Sequence, residues 1–220
     1  MVISHTQRFI FVHIDKTAGS SMTRVLAPYA HETNAVWLNQ VLEKLGIRVN
    51  YFGPTTWRRF RVHSSAANLR RHLPARIFNA YFKFAFVRNP WDRMVSRYEF
   101  LMARPKHRHH KWVSRLGGFT NYLHAVLPGH SLHQHRMVMD ARGDLLVDFV
   151  GRFENLAADF QSVCDQLGLQ ATLPHVGRTG HRDYRSYYTT ATQQFVADHF
   201  RQDLGWLGYQ FDGSPVSYAA

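Results

Sequence analysis

An α/β fold with a mainly parallel sheet flanked by helices is the architecture this sequence predicts, and three observations predict it. Two strand–turn–helix units, at residues 9–26 and 81–102, are built alike. A third apolar run, Leu145 to Phe153, leads into another stretch of helical spacing. Strands alternating with helices pair in parallel through right-handed crossovers.

The first unit is the stretch around which the chain is organised. Phe9 to Ile14 is almost wholly apolar, as in a strand buried on both faces. Asp15, Lys16, Thr17, Ala18, Gly19, Ser20 and Ser21 follow, and then Met22, Val25 and Leu26 at helical spacing. A helix N-terminus offers N–H groups and partial positive charge, Gly19 permits close main-chain approach, and Lys16 adds a full charge. The loop is fit to hold a phosphate or sulfate. It is not a Walker A loop, because Lys16 precedes Gly19 by three and no matching upstream Gly exists. An ordinary strand–helix turn with solvated hydroxyls fits the stretch equally well.

The rest of the chain follows in order. A first helix covers residues 20–30 and stops near Pro28. Val36, Leu38, Val41, Leu42 and Leu45 form a short helical pattern over 36–46, closed by Gly46. Residues 51–61 are irregular, punctuated by Gly53-Pro54. Ser64 or Ser65 caps a helix carrying Leu69 and Leu73 that ends before Pro74. Tyr81 to Val87 is the clearest strand; Asn89 serves as N-cap, Pro90 as the first helical residue, and Trp91, Met94, Val95, Tyr98, Leu101 and Met102 as the inward stripe. Residues 104–115 are densely basic and read as a solvated surface loop or helix start, an acidic-acceptor contact being the sharper alternative. Residues 119–127 are helical and 128–139 irregular and His-rich. Leu156, Phe160, Val163, Cys164 and Leu167 share a helix face that Gly168 closes. Residues 173–188 lack periodicity, a last helix covers about 190–204, and the aromatic segment 206–211 packs back on the core.

Composition narrows the class. The 220 residues suit one domain with a real core, and 45% hydrophobic content excludes disorder throughout. A formal charge of +12 draws in anions without choosing among nucleotides, acidic glycans, nucleic acid and anionic lipid. The single Cys164 excludes an internal disulfide. No apolar run reaches the roughly 20 residues that span a bilayer, and no secretory leader is recognisable. The expectation is a soluble, cytoplasmic protein, with peripheral membrane association left open. His107, His109 and His110 lack i, i+4 pairing and acidic or Cys partners, so no metal is expected.

Two motifs carry a family resemblance. Residues 11–21, Phe-Val-His-Ile-Asp-Lys-Thr-Ala-Gly-Ser-Ser, resemble the 5′-phosphosulfate loop of sulfotransferases that use 3′-phosphoadenosine 5′-phosphosulfate (PAPS). Residues 86–98, Phe-Val-Arg-Asn-Pro-Trp-Asp-Arg-Met-Val-Ser-Arg-Tyr, resemble their 3′-phosphate motif. Gly151 to Leu156, with Asp159-Phe160, is similar to a third segment of the bacterial and Golgi carbohydrate O-sulfotransferases (sulfotransferase family 2). The likeness runs from residue 9 to about 211. It implies a three-layer P-loop-like fold, a single sulfotransferase domain over 1–220, PAPS as donor with the bisphosphate PAP as product, and a hydroxyl acceptor on a glycan or glycolipid.

The resemblance also implies roles. Lys16, Thr17, Ala18, Gly19, Ser20 and Ser21 surround the 5′-phosphosulfate, and Arg88 and Ser96 hold the 3′-phosphate. Eight helical positions separate those two by on the order of 10 Å, so Arg88 must extend along the helix; its alternative is an ion pair with Asp92 or Glu154. Asp15 stands where the family loop usually has Pro and is expected to point away or pair with a base. Lys16 also counts as catalytic, facing the charge that builds on the leaving phosphate. The general base should be a histidine, and His63, at a strand end before a capped helix, matches the family's catalytic position. His13 reads as structural, with His133 and His135 as runners-up. Two other classes compete: a kinase-like phosphotransferase, opposed by the missing Walker spacing, and a basic nucleic-acid-binding domain, for which no recognised motif is present.

Overall fold

In the computed structural model, residues 1–30, 49–50, 60–129, 132–173 and 182–213 are described. The helical pattern at 36–46 and the run at 51–59 lie outside them. The chain divides into two compact units, Met1–Val87 with Arg136–Val176, and Arg88–His135 with Gly177–Ala220.

The first unit is built on a four-stranded sheet. Its strands are β1 (Val2–Ser4), β2 (Phe9–Val12), β5 (Phe82–Val87) and β6 (Phe149–Arg152), in the order β1-β2-β5-β6. β2, β5 and β6 run parallel, with Phe11 opposite Phe84 and Phe86 opposite Gly151; β1 is an antiparallel edge. Two short strands, β3 (Val49–Asn50) and β4 (Phe60–Arg61), pair separately. Phe9, Phe11, Phe84 and Phe86 share a face and form one core with Met22 and Leu26 of α1 (Gly19–Leu26) and with Phe160, Val163 and Cys164 of the later helix Leu156–Leu167. Ile10, Val12, Ala85 and Val87 point to the opposite face and are equally buried. Burial of both faces explains why these strands read as continuous apolar runs rather than alternating ones.

Local signals set the connections. Ser65 accepts from the Asn68 amide and caps α2 (Ala66–His72), and α3 (Ala75–Ala80) follows Pro74. The 145–153 run is a strand only from Phe149. Asp148 first exchanges hydrogen bonds with the Lys83 main chain, 2.7 Å each way, and Leu145 stays 48% exposed beside an isolated bridge to Met139. Gly151 is required here, since a β-carbon would lie 2.4 Å from the Phe86 ring.

The second unit is helical. α4 (Pro90–Met102) begins as its cap predicts, with Asn89 accepting from the Trp91 amide and Pro90 at N1. Its stripe of Trp91, Met94, Val95 and Leu101 forms a core with Val113 of α5 (His110–Arg115), with Phe119, Tyr122 and Leu123 of α6 (Phe119–Val126), and with Val196 and Phe200. Residues 135–138, expected to be irregular, form one helical turn, α7 (His135–Val138). α8 (Leu156–Leu167) belongs to the first unit and ends at Gly168 in the left-handed conformation. The last expected helix is two, α9 (Thr190–His199) and α10 (Arg201–Leu207), separated by the fully buried Phe200. Among the described residues no helix is long and apolar enough to cross a membrane.

Candidate active site

The loop after β2 is a tight structure in its own right. Lys16 and Ala18 both adopt left-handed backbone conformations, with φ of 67° and 62°. Residues with a β-carbon rarely do so, and where they do the surrounding structure must enforce it. Thr17 enforces part of it, being fully buried with its hydroxyl donating to the Ile14 carbonyl at 3.0 Å. The amides of Ser21 and Met22 both reach the Ala18 carbonyl, so α1 opens directly from the loop. The N–H groups ahead of them have no acceptor within the helix, the arrangement that suits an anion. Ser20 is exposed and Ser21 half-buried.

Gly19 serves a purpose the sequence did not reveal. A β-carbon there would lie 2.0 Å from the His13 imidazole, so the glycine makes room for that ring. His13 stacks on Phe11 at 5.9 Å and meets His63 edge to face at 4.6 Å. Burial pushes its pKa down to about 3, His63 adds to the effect and Asp15 opposes it. His13 is therefore neutral at physiological pH, and its Nδ1 has no hydrogen-bond partner among the described residues.

His63 is exposed, and its Nδ1 lies 3.0 Å from the His13 carbonyl oxygen. A carbonyl can only accept, so Nδ1 carries the hydrogen and Nε2 of the neutral ring carries the lone pair. The first unit thus joins three expected or weighed positions: His63 touches His13, and His13 packs on Gly19.

The remaining expected residues lie in the second unit. Arg88 donates through Nε to Asp92 at 2.8 Å with its side chain 4% exposed, so the ion pair weighed as the alternative is formed. Ser96 is fully buried, and its Oγ has no hydrogen-bond partner among the described residues. Glu154, the other candidate partner of Arg88, is an exposed residue of the first unit.

The segment before α7 holds polar groups that sequence reasoning missed. Gln134 is fully buried; its side chain accepts from the Arg88 amide at 2.9 Å and donates to the Arg88 carbonyl at 2.8 Å. Asp203, also fully buried, accepts from the Gln134 amide at 2.8 Å, the His135 amide at 2.9 Å and His135 Nδ1 at 2.5 Å. Burial pushes the Asp203 carboxyl up, but the bonds from His135 and Gln134 outweigh it and hold the group below the usual range. The signal was present: Phe200, Asp203, Leu204 and Leu207 fall at i, i+3, i+4 and i+7, which puts a carboxylate on an apolar stripe where it needs partners. His133, His135 and Asp203 also place donor atoms within 4.8 Å of one another, a grouping of transition-metal ligand types, but both Asp203 oxygens already accept from Gln134 and His135.

The profile of the sulfotransferase family matches residues 1–210, across both compact units. The chain belongs to the sulfotransferase family. This sulfotransferase is a transferase that moves a sulfuryl group to an acceptor, on a mixed α/β fold with a mostly parallel four-stranded sheet. It is also 26% identical over 113 residues to an uncharacterized protein of Archaeoglobus fulgidus, a match covering 48% of this chain and 82% of that protein.

Proposed function

We propose that this sulfotransferase transfers the sulfuryl group of PAPS to a hydroxyl of a glycan or glycolipid, with His63 as general base. The observation that carries the reading is the tautomer of His63: Nδ1–H donates to the His13 carbonyl, which leaves Nε2 able to accept a proton. His13 itself runs straight into the Lys16 loop, so base and anion cradle are anchored on one residue. When bound, PAPS supplies the activated sulfuryl group and departs as the 3′,5′-bisphosphate. His63 Nε2 takes the proton of the attacking hydroxyl. Lys16 and the first amides of α1 stabilise charge where the 5′-phosphate leaves, around a loop completed by Thr17, Ala18, Gly19, Ser20 and Ser21.

Arg88 and Ser96 bind the 3′-phosphate that separates this donor from ordinary adenylates. Two features fit that group. Ser96 Oγ is buried without a partner among the described residues, which a buried hydroxyl ordinarily avoids. The Asp92 contact fixes the plane of the Arg88 guanidinium, whose fork matches phosphate geometry. The chain acts as a single sulfotransferase domain over 1–220, in the cytoplasm, with no metal in the chemistry.

A screen of labelled PAPS against polysaccharides, glycolipids and phenols, with and without magnesium, tests the activity. Transfer to a carbohydrate that is indifferent to chelator is expected; transfer from ATP that requires magnesium would replace the reading with a kinase. Calorimetry with PAP should show weakened binding in Lys16→Ala and in Arg88→Ala, and unchanged affinity in both would remove the assigned roles.

A further inference from the structure

We infer that Asp203 is a positioning residue for the 3′-phosphate site, acting on Arg88 through Gln134. The inference rests on the assignment of Arg88 to that phosphate and goes beyond it to what holds Arg88 in place. Arg88 is the first residue after β5, where the sheet ladder ends and its main-chain groups need new partners. Gln134 supplies them, one amide side chain meeting both the N–H and the carbonyl of Arg88, as a neighbouring strand would. The main-chain N–H of Gln134 is held by the Asp203 carboxylate, which also grips the amide and ring of His135. Arg93, from α4, fixes the same segment two residues earlier through the Leu132 carbonyl at 2.6 Å. The chain of contacts is thus Asp203 to Gln134 to the Arg88 main chain, every link buried.

A carboxylate suits this role better than its amide. Asp203 faces donors alone, two main-chain N–H groups and an imidazole N–H, and only an ionised carboxylate accepts them all. In Asp203→Asn an NH2 group faces one of those donors, so the 134–135 segment shifts and Arg88 loses its register on the phosphate.

The test reads 3′-phosphate discrimination: the affinity for adenosine 3′,5′-bisphosphate divided by that for adenosine 5′-monophosphate, measured by calorimetry on the full chain. A general loss of stability lowers both affinities together and leaves the ratio unmoved. Asp203→Asn, and separately Gln134→Glu, which keeps the acceptor and deletes the donor to the Arg88 carbonyl, are each expected to cut the ratio about tenfold or more. Arg88→Ala should cut it as well. A ratio kept at the wild-type value in Gln134→Glu, while Arg88→Ala abolishes it, would overturn the relay and leave the Arg88 assignment standing. A wild-type ratio near one would instead overturn the Arg88 assignment on which the inference rests. A wild-type ratio in a folded Asp203→Asn would overturn the Asp203 link in the same way; should that variant not fold, Asp203→Glu, which keeps the carboxylate but displaces it, takes its place.

Discussion

His63 Nδ1 donates to the main-chain carbonyl of His13 across 3.0 Å, and the two rings meet edge to face at 4.6 Å. The contact fixes which nitrogen of His63 can take a proton and ties that nitrogen to the chain entering the Lys16 loop. A histidine held this way needs no carboxylate partner, since a carbonyl suffices to set the tautomer.

Removing that imidazole should therefore separate chemistry from binding. His63→Ala is expected to lower turnover by roughly 10²–10⁴-fold, the usual worth of a general base. PAP affinity should stay close to wild type, because the ring is exposed and its hydrogen bond goes to the His13 carbonyl rather than to a residue of the 15–21 loop. Steady-state rates alongside calorimetry check this, and wild-type-like turnover would end the assignment.

Gly19 and His13 make a second prediction. The imidazole lies where a β-carbon at residue 19 would go, 2.0 Å away, and Phe11 and His63 hold it there. Gly19→Ala should destabilise the protein by on the order of 1–3 kcal/mol, the range for overpacking a tight site. His13→Ala removes the obstacle, so the double variant should lose at least about 1 kcal/mol less than the sum of the singles. Denaturant unfolding of all four proteins measures the coupling; strict additivity would mean the ring does not set the need for glycine.

How much of this was legible beforehand depends on whether a feature is local. Asn89-Pro90, Ser65 and Gly168 announced helix ends correctly because capping involves residues only a few positions apart. The apolar runs at 9–14 and 81–87 revealed parallel strands because burial on both faces leaves no alternation. β1 was not legible, having only three residues. The single helix expected over 190–204 missed the break at Phe200, whose apolar character fits the helical stripe while its backbone, at φ −97° and ψ 20°, departs from it. Gln134 reaches Asp203 across 69 positions and Arg88 across 46, and no spacing rule joins residues so far apart. Gly19 reads in the sequence as a point of close main-chain approach; that its missing β-carbon also makes room for His13, six residues earlier, no spacing rule could show.

Ser96 supplies a third prediction, in which stability and binding part. Its Oγ is fully buried and makes no hydrogen bond among the described residues, so deleting it removes no native bond. Ser96→Ala should leave unfolding free energy within about 0.5 kcal/mol of wild type or raise it. Binding of PAP should weaken several-fold to about tenfold if the hydroxyl meets the 3′-phosphate. Thermal melts and titrations on the same samples suffice. A clear stability loss with unaltered PAP affinity would show the hydroxyl to be purely structural.

The depressed pKa of His13 gives the last prediction, on acid stability. Burial holds the folded-state value at about 3, against an ordinary value of 6.5 for an unfolded chain. Between those values the unfolded state binds a proton that the folded state does not, so stability rises with pH across that window. The contribution is fully present above pH 6.5, is lost progressively as pH falls, and stops changing below about 3. Replacing the ring with one that cannot titrate removes the term: His13→Phe should unfold with a shallower dependence on pH than wild type between pH 4 and 6.5, whatever its stability at neutral pH. Urea unfolding across that range decides the matter. Parallel slopes for the two proteins would mean that His13 takes up its proton in the folded state as readily as in water, and the packed, neutral imidazole beneath Gly19 would have to be abandoned.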